Sequence, residues 1–243
     1  DRMSKRVLVS WSGGKDSAWA LHLLRQQPAY EIVGLLTTIN QHFGRVAMHG
    51  FRRELLQQQA EAAGLPLWPV PLPWPCSNEQ YEFAMSDVCA HAVAEGVDAI
   101  AFGDLFLEDI RAYREARLAG TGLEPLFPCW QIPTDQLARE MIAAGLRAHL
   151  VCVDPRQLDA RFAGRLFDEA LLDELPATVD PCGERGEFHT FVSAGPMFAS
   201  GGRSRSIEVR RGDVVERDNF VYADLLPAHR PSQPLQENSP SLR

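Results

Sequence analysis

The chain has 243 residues, of which 45% are apolar and 23% are charged, and its formal net charge at pH 7 is −8. This length suits one large or two modest globular domains, and no apolar run approaches the roughly 20 residues that span a bilayer. The acidic balance argues against a broad nucleic-acid surface. Five separated cysteines without a C-x-x-C pair argue against a disulfide framework or structural zinc, and favour a reducing, cytoplasmic location.

The N-terminal region joins an apolar strand to a glycine-rich turn. Residues 7–10 (VLVS) suit a buried parallel strand, the turn S-G-G-K-D-S follows at 12–17, and residues 18–27 are compatible with a helix. A strand, a glycine turn and a helix in this order direct backbone N–H groups and the positive helix end toward one place. The sequence therefore predicts a phosphate-binding loop at the end of the first strand.

The side chains of this loop support the same interpretation. Ser12 and Ser17 offer hydroxyl groups, and Lys15 offers positive charge. Asp16 is the exception, because a carboxylate beside phosphates is repulsive unless it caps the helix or meets a cation such as Mg²⁺. The loop is not a Walker A motif, because Val9 stands where that motif needs glycine.

Strand and helix candidates alternate through the first half of the chain. After the opening unit, the strand candidates are 30–39, 65–72, 98–104 and 124–130, and the helix candidates are 50–63 ending at Gly64, 78–95 after a Ser77–Gln80 capping box, and 107–118. Three prolines make 65–72 a short or edge strand. This alternation predicts an α/β fold: a Rossmann-like parallel sheet with helices on both faces, whose ligands lie beyond the carboxyl ends of the strands. The 12–17 loop and Gly103-Asp104 would then share one edge.

The second half has a different character. Thr134 is expected to cap a helix through Ala144, followed by a strand at 148–153 and a short helix at 166–175. Residues 206–211 and 214–222 resemble a hairpin that turns at Gly212-Asp213. The predicted organisation is a nucleotide-binding domain (1–130), a smaller α/β domain (131–226) and a poorly packed tail (227–243) rich in Pro, Ser and Gln.

A second informative stretch follows the strand that ends at Gly103-Asp104. On a helix, Arg111, Arg114 and Glu115 share one face, which could hold an anionic substrate. A solvated, salt-bridged helix accounts for the same pattern. The glycine before the helix favours a site, because it permits close approach of a ligand.

A third stretch, G-E-R-G-E-F-H-T at 183–190, places two carboxylates and an imidazole within seven residues. Glu184, Glu187 and His189 could accept protons, bind a metal or hold an amine. The metal interpretation is weak because the helical H-E-x-x-H spacing is absent. A polar hairpin turn explains the cluster equally well.

These three stretches together carry a resemblance. The S-G-G-K-D-S turn resembles the PP-loop of ATP pyrophosphatases, which cleave ATP to AMP and pyrophosphate. The order S-G-G-K-D-S, then G-D-L-F-L-E-D-I-R-A-Y-R-E, then G-E-R-G-E-F-H-T-F-V resembles the family that includes diphthine–ammonia ligase, in a bacterial-type branch. The resemblance implies a HUP-type nucleotide-binding domain and a family-specific second domain. It also implies a reaction in which ATP activates a carboxylate and ammonia displaces AMP, giving an amide.

The resemblance also implies a set of site residues, with ATP and Mg²⁺ as cofactors. The nucleotide is expected at Ser10, Ser12, Gly13, Gly14, Lys15, Asp16, Ser17, Thr37, Thr38, His49, Gly103 and Asp104, with Mg²⁺ weakly assigned to Asp16. The catalytic candidates are Lys15, Asp16, Arg111, Glu115, Glu184, Glu187 and His189, and the substrate-binding candidates are Arg111, Arg114 and Thr190. The ordinary pKa of histidine suits His189 as a general base near neutral pH, whereas His49 is equally well read as a core histidine.

Two other classes of protein remain open from the sequence. A PP-loop enzyme that modifies RNA shares the loop, although the acidic balance and small arginine cluster count against it. A non-catalytic nucleotide-binding protein would keep the loop without convergent acid–base groups. The expected partners are ATP, a carboxylate-bearing acceptor and ammonia or an amine, without nucleic acid or membrane; a homodimer is compatible with the sequence.

Overall fold

A computed structural model describes residues 3–41, 45–46 and 50–228. Its strands are β1 (Lys5–Ser10), β2 (Tyr30–Asn40), β3 (Arg45–Val46), β4 (Leu67–Leu72), β5 (Ala99–Ala101), β6 (Glu124–Leu126), β7 (Arg147–Val153), β8 (Phe188–Ala194), β9 (Ala199–Ser200), β10 (Arg203–Ser204), β11 (Val209–Arg217) and β12 (Phe220–Pro227). Its α-helices are α1 (Lys15–Arg25), α2 (Arg53–Ala63), α3 (Asn78–Ala94), α4 (Glu108–Leu118), α5 (Thr134–Ala143) and α6 (Glu169–Glu174).

The first sheet contains five parallel strands in the order β4-β2-β1-β5-β6, with β3 antiparallel at the end of β2. β1 is central, and Val9 pairs with Leu35 of β2 on one side and Ala101 of β5 on the other. Counted along the chain, these are the third, second, first, fourth and fifth parallel strands. The order of the strands therefore changes direction between β1 and β5. The Rossmann-like α/β fold is therefore confirmed.

Helices cover both faces of this sheet. Successive side chains of a strand point to opposite faces, and β1 shows this directly. Val7 and Val9 are buried in a cluster with α1 and α2, whereas Leu8 is buried in a second cluster with α3 and α4. Both clusters are apolar, so the central strand is enclosed, as expected for a parallel sheet.

The second sheet is antiparallel, in the order β11-β12-β7-β8, and carries α5 and α6. Its core is continuous with the α1 and α2 face of the first sheet. Phe191 of β8 and Phe51 before α2 meet with ring centroids 4.9 Å apart. The two sheets therefore share one apolar core, and β8 lies against the beginning of α1.

Several local signals are confirmed. Ser77 Oγ accepts a hydrogen bond from the backbone N–H of Gln80, and the Gln80 side chain accepts one from Ser77 N–H, which is the predicted capping box. Gly64 ends α2 in the left-handed conformation. The proline-bearing β4 pairs with β2 alone among the described strands, as an edge strand.

Other local predictions are wrong, and the structure gives the reasons. The hairpin turns at Asp218-Asn219, where both residues adopt positive φ, and Gly212-Asp213 instead lies at a register shift between Arg211 and Val214. Thr134 does not cap α5, because Pro133 occupies the cap position and the Thr134 hydroxyl donates to Asp180.

The ends of three further elements differ from the predictions. α1 starts earlier than predicted, because Gly14 already serves as its N-cap. β5 ends at Ala101, earlier than predicted, and residues from Phe188 form strand β8 rather than a turn. Apart from residues 227–228, the predicted tail lies outside the described part of the chain, and the described helices include none with the length and apolar character needed to cross a bilayer.

Candidate functional site at the edge of the parallel sheet

The predicted phosphate loop lies where β1 ends, at the reversal of strand order. Gly13 has φ +80°, and a Cβ built there would lie 2.3 Å from Phe51 Cζ and 2.9 Å from Gln59 Oε1. A side chain therefore fits neither the backbone conformation nor the space. Gly14 follows in an extended conformation as the N-cap of α1, without a side-chain capping hydrogen bond.

The loop hydroxyls bond to each other and to the loop backbone. The Ser12 and Ser17 Oγ atoms are 3.1 Å apart, and Ser12 Oγ accepts a hydrogen bond from Gly14 N–H at 3.2 Å. Ser17 Oγ also lies 3.2 Å from the Gly14 carbonyl oxygen, to which it donates. These contacts hold the loop in a compact turn at the N-terminus of α1, and a glycine turn that opens a helix is a usual place for binding an anion.

Gln59 fastens this loop to the second sheet. Its side chain is fully buried, accepts from Trp11 Nε1 at 3.0 Å, and donates to the carbonyls of Gly13 at 3.0 Å and Val192 at 2.9 Å. Val192 N–H also donates to the Gly13 carbonyl. Sequence reasoning missed Gln59, because a single glutamine in a helical pattern gives no signal for a buried polar contact.

A cavity of about 370 Å³ opens beside the loop, between the ends of β1, β2 and β5 and the helices α3 and α4. It is lined by Ser10, Trp11, Ser12, Leu36, Thr38, Tyr81, Met85, Ser86, Cys89, Ile100, Phe102, Tyr113, Arg114, Arg117, Leu118, Thr121 and His189. Its size, and walls that combine apolar side chains with hydroxyl groups, two arginines and a histidine, suit a small polar molecule. Thr38 faces it as predicted, whereas Thr37 is buried and donates its hydroxyl to the Trp11 carbonyl.

The two arginines of α4 make different contacts. Arg114 lines the cavity, stacks on Phe102 with its guanidinium carbon 4.7 Å from the ring centroid, and pairs with Asp104 at 3.0 Å. Arg111 instead pairs with Glu115 at 3.1 Å and lies over the rings of Phe127 and Trp130. The structure thus brings Arg114 to the cavity, while Arg111 and Glu115 form an ion pair beside it.

Gly103 packs closely against the backbone of α1. A Cβ at this position would lie 2.7 Å from the carbonyl carbon of Asp16 and 2.8 Å from Ser17 N. The close approach in this structure is therefore to the first turn of α1. This contact fixes the chain after β5 directly against the phosphate loop.

Glu184 reaches the same edge from the second sheet domain. Its Oε1 accepts a hydrogen bond from Leu105 N–H at 3.1 Å, immediately after Asp104. Burial raises the pKa of Glu184 to about 7, although the bond from Leu105 opposes this, and the charges of Asp16 and Asp104 raise it further. A carboxyl group that exchanges protons near neutral pH suits general acid–base chemistry.

Asp180 organises the segment that carries Glu184. Its carboxylate accepts from the Thr134 hydroxyl at 2.6 Å, from Cys182 N–H at 3.2 Å and from Glu184 N–H at 3.1 Å. The Asp-Pro pair that begins this segment is typical of a turn in which an aspartate bonds to the backbone two residues on. Burial raises the pKa of the Cys182 thiol, so it is no candidate nucleophile.

Lys15 and Asp16 form a buried pair under the second sheet. The Lys15 ammonium is 3.2 Å from Asp16 Oδ1 and also donates to the Cys182 carbonyl, with 3% of the side chain exposed. Burial opposes its charge, but Asp16 and Cys182 outweigh this and raise the pKa of Lys15. Burial, together with Asp180 and Asp104, raises the pKa of Asp16 against the attraction of Lys15. Lys15 is not among the residues that line the cavity, and its role of neutralising phosphate charge stays a prediction.

The remaining candidates, on β8 or immediately before it, occupy three different surroundings. His189 lines the cavity, but burial and the nearby Lys15 lower its pKa to about 4, so the imidazole is neutral at pH 7, contrary to the expectation from the ordinary pKa of histidine. Thr190 is buried, and its hydroxyl accepts from Lys15 N–H at 3.0 Å. Glu187 is buried, bonds through Oε2 to Asp180 N–H, and its Oε1 lacks a partner among the described residues. His49 lies outside the described residues.

The described residues contain no group of three or more histidine, cysteine, aspartate or glutamate side chains placed to hold a metal ion. Asp16, with about a quarter of its side chain exposed, is the carboxylate that belongs to the phosphate loop itself. Mg²⁺ commonly binds through one or two carboxylates and substrate phosphates, so a single loop carboxylate fits an ion that arrives with a nucleotide.

A Rossmann-like sheet, a phosphate loop after its first strand and an adjoining cavity define a nucleotide-binding α/β protein of the PP-loop class. Residues 5–123 match the diphthamide synthase N-terminal domain and residues 133–216 match the diphthamide synthase C-terminal domain, so the chain belongs to the diphthamide synthase family.

Curated relatives agree with this assignment. The diphthine–ammonia ligases of Bos taurus and Homo sapiens are each 27% identical over 244 residues, which cover 90% of this chain and 88% of theirs. The diphthine–ammonia ligase of Schizosaccharomyces pombe is 25% identical over 235 residues, covering 88% of this chain and 38% of its own. Each of these relatives is named as a ligase, which favours the ligase over the RNA-modifying and non-catalytic alternatives.

Proposed function

We propose that this chain is an ATP-dependent ligase that adenylates a carboxylate and then transfers ammonia or an amine to it, releasing pyrophosphate and AMP. The observation that carries the proposal is the position of Glu184, whose pKa is near 7 and whose carboxyl is hydrogen-bonded to the strand end beside the phosphate loop. The shared family and the ligase names of the relatives support the same reaction.

ATP would occupy the cavity with its phosphates toward the loop. Apolar walls from Leu36, Ile100 and Phe102 suit an adenine ring, and Thr38 is placed to meet its polar edge. Ser12 lines the same cavity and leads into the N–H groups at the start of α1. The nucleotide would therefore span from the α3 and α4 side of the sheet to the loop.

The first step joins an acceptor carboxylate oxygen to the α-phosphorus, while the bond from that phosphorus to the pyrophosphate oxygen breaks. Catalysis of such a transfer consists mainly of positioning and stabilisation of charge. Arg114 supplies a guanidinium at the cavity wall, and its pairing with Asp104 fixes its direction. Arg111 is a candidate for the acceptor, since about a third of its side chain is exposed beside the cavity.

Mg²⁺ is the proposed metal, and Asp16 is the loop carboxylate that would hold it. When bound, this ion would offset the charge of the phosphates. Lys15 donates to both carboxylate oxygens of Asp16, and about a quarter of the Asp16 side chain stays exposed.

In the second step the nitrogen of ammonia or an amine attacks the acyl carbon, and the bond to the AMP oxygen breaks. The nitrogen must lose a proton, and Glu184 is the proposed acceptor of that proton because its pKa is matched to neutral pH. His189 stays neutral there and is suited to accepting or donating a hydrogen bond without holding a charge.

The acceptor is proposed by chemical class, as a carboxylate on a small molecule or on a modified protein side chain. The test incubates the protein with ATP, Mg²⁺, ¹⁵N-ammonium and a cell extract depleted of this protein. The proposal predicts AMP and pyrophosphate in equal amounts and one ¹⁵N per AMP in a new amide, with Asp16→Ala as the inactive control. ADP and phosphate as the nucleotide products would rule the reaction out.

A further inference from the structure

The Lys15 side chain leaves the phosphate loop and enters the second sheet domain. Its ammonium donates to the Cys182 carbonyl and to both oxygens of Asp16, at 3.2 and 3.3 Å. It lies 5.5 Å from the ring centroid of Phe167 and 5.3 Å from that of Phe188. With 3% of the side chain exposed, the charge is enclosed by a carboxylate, a carbonyl and two aromatic faces.

The backbone of the same residue is also held by the second sheet. Lys15 N–H donates to Thr190 Oγ1 at 3.0 Å, so both ends of Lys15 contact that domain. A move of the ammonium toward the cavity would break its bonds to Asp16 and to the Cys182 carbonyl, and would separate Asp16 from its counter-charge. The Lys15 ammonium is therefore held between Asp16 and the second sheet domain, which leaves phosphate binding to other groups of the loop.

A short series of hydrogen bonds connects Lys15 to Glu184. The Cys182 carbonyl accepts from Lys15, and Cys182 N–H and Glu184 N–H both donate to the Asp180 carboxylate. Glu184 then accepts from Leu105 N–H at 3.1 Å. The ammonium thus anchors the middle of the segment 180–184, whose last residue is the proposed proton acceptor.

We propose that Lys15 is a positioning residue. It locks the segment 180–184 onto the phosphate loop and so places Glu184 at the sheet edge, while the nucleotide phosphates are bound by other groups of the loop. The expected effect on catalysis rests on the proposed function, whereas the attachment of the segment 180–184 to the phosphate loop does not.

The chain offers a matched control because it has two lysines, Lys5 and Lys15. Lys5 is exposed at the opposite end of β1, where it pairs with Glu124. Lys15→Met and Lys5→Met each remove one ammonium while keeping an unbranched side chain. For both variants we would measure the Kd of α,β-methylene ATP, the kcat and KM for AMP formation, and hydrogen–deuterium exchange across residues 180–186.

Lys15→Met is expected to keep the Kd of the ATP analogue and the KM for ATP within about threefold. Its kcat should fall by roughly 10- to 100-fold, because small displacements of a reacting group cost rates of that order. Exchange across 180–186 should accelerate, and Lys5→Met should match the wild type in each measurement. A Kd weakened more than about tenfold with unchanged exchange across 180–186 would overturn the proposal.

A measurement on the wild type covers the case in which Lys15→Met does not fold. Protein labelled with ¹⁵N at lysine side chains gives two ammonium signals, and the buried one belongs to Lys15. The proposal expects this signal to stay unchanged when α,β-methylene ATP is added. A large shift or a scalar coupling to ³¹P would show Lys15 on the phosphates and refute it. If the analogue does not bind the wild type at all, the proposed function fails instead, and the exchange experiment still decides the role of Lys15.

Discussion

The carboxyl of Glu184 and the backbone N–H of Leu105 are joined by a 3.1 Å hydrogen bond that connects the two sheets at the candidate site. Leu105 follows the strand end at Gly103-Asp104, whose close packing against α1 fixes it to the phosphate loop. One hydrogen bond therefore links the proposed proton acceptor of one domain to the proposed nucleotide-binding edge of the other. Neither domain alone would contain the whole site.

Glu184→Gln should lower kcat for amide formation by roughly 10²- to 10⁴-fold, the usual contribution of a general base, with little change in the KM for ATP. In the wild type, kcat should rise with pH through about 7 as Glu184 ionises, and the variant should lack this rise. The measurement is a pH–rate profile of AMP formation. Glu31→Gln, exposed at the start of β2, is the control and should keep the wild-type profile.

The same variant should also change how stability depends on pH. The pKa of Glu184 in the folded protein lies above the ordinary pKa of glutamate. Between these two pKa values, the folded protein binds more protons than the unfolded chain. The free energy of unfolding therefore falls as the pH rises toward 7. Glu184→Gln removes this part of the slope, so it should be at least as stable as the wild type at pH 8. Denaturant unfolding at pH 5 and pH 8 tests this, and a variant that is inactive because it is unfolded would contradict it.

Much of the fold could be predicted because its signals are local. The alternation of strands and helices, the capping box at Ser77 and the glycine stop at Gly64 depend on neighbours in the chain, and the structure confirms all three. The site was less accessible to sequence reasoning because its contacts join distant residues. The burial that makes His189 neutral, and the turn of Lys15 away from the cavity, both depend on how the second sheet packs against α1.

The buried hydrogen bonds between distant parts of the chain were still harder to predict from the sequence. Gln59 joins the loop at Trp11 and Gly13 to Val192, and Asp180 joins its own turn to Thr134. The Asp-Pro pair indicates the turn at Asp180, but no local pattern indicates the contacts with Val192 or Thr134. The hairpin prediction failed for a different reason. Gly212-Asp213 and Asp218-Asn219 both have turn chemistry, and the strand pairing of β11 with β12 decides between them.

Asp224→Asn tests a second connection between the domains. The Asp224 carboxylate accepts hydrogen bonds from Arg45 at 3.0 Å and from Arg52 at 2.8 Å, just before α2. We expect the free energy of unfolding at pH 7 to fall by about 1–3 kcal/mol, the usual range for hydrogen bonds to a charged group. Urea unfolding provides the value, and an unchanged midpoint would show that the contacts contribute nothing measurable.

The effect of this variant should depend on pH. Burial opposes ionisation of Asp224, but the hydrogen bonds from Arg52 and Arg45 outweigh it and lower its pKa. The stabilisation by these hydrogen bonds is therefore fully present above the ordinary pKa of aspartate. It is lost as the pH falls through the lower pKa that Asp224 has in the folded protein. Wild type and variant should converge in stability in acid, and a constant difference down to acid pH would contradict this assignment.

Gly103→Ala should displace the first turn of α1, because its Cβ would lie 2.7 Å from a backbone atom of Asp16. We expect lower thermal stability and at least tenfold weaker binding of α,β-methylene ATP, measured by calorimetry. Gly212→Ala is the matched control, since its Cβ would lie 3.2 Å from an Asp224 side-chain carbon, which can shift. Equal behaviour of the two variants would show that the Gly103 contact does not control the loop.

Asp16→Asn tests the proposed role of this residue toward Mg²⁺. The substitution removes a negative charge beside the phosphates, so binding of ATP without Mg²⁺ should be unchanged or tighter. The additional affinity that Mg²⁺ gives the wild type should be lost. Calorimetric titration of α,β-methylene ATP with and without Mg²⁺ distinguishes the two proteins, and full retention of the Mg²⁺ effect would exclude Asp16 as the ligand.

The most direct test of adenylation is the origin of the phosphate oxygens in AMP. The reaction would be run in H₂¹⁸O with ATP, ammonium and the depleted extract, and the AMP would be analysed by mass spectrometry. If the acceptor carboxylate attacks the α-phosphorus and ammonia then attacks the acyl carbon, the AMP oxygen comes from the carboxylate and AMP stays unlabelled. One ¹⁸O in each AMP would mean that water attacks the α-phosphorus, which would contradict adenylation of a carboxylate by this protein.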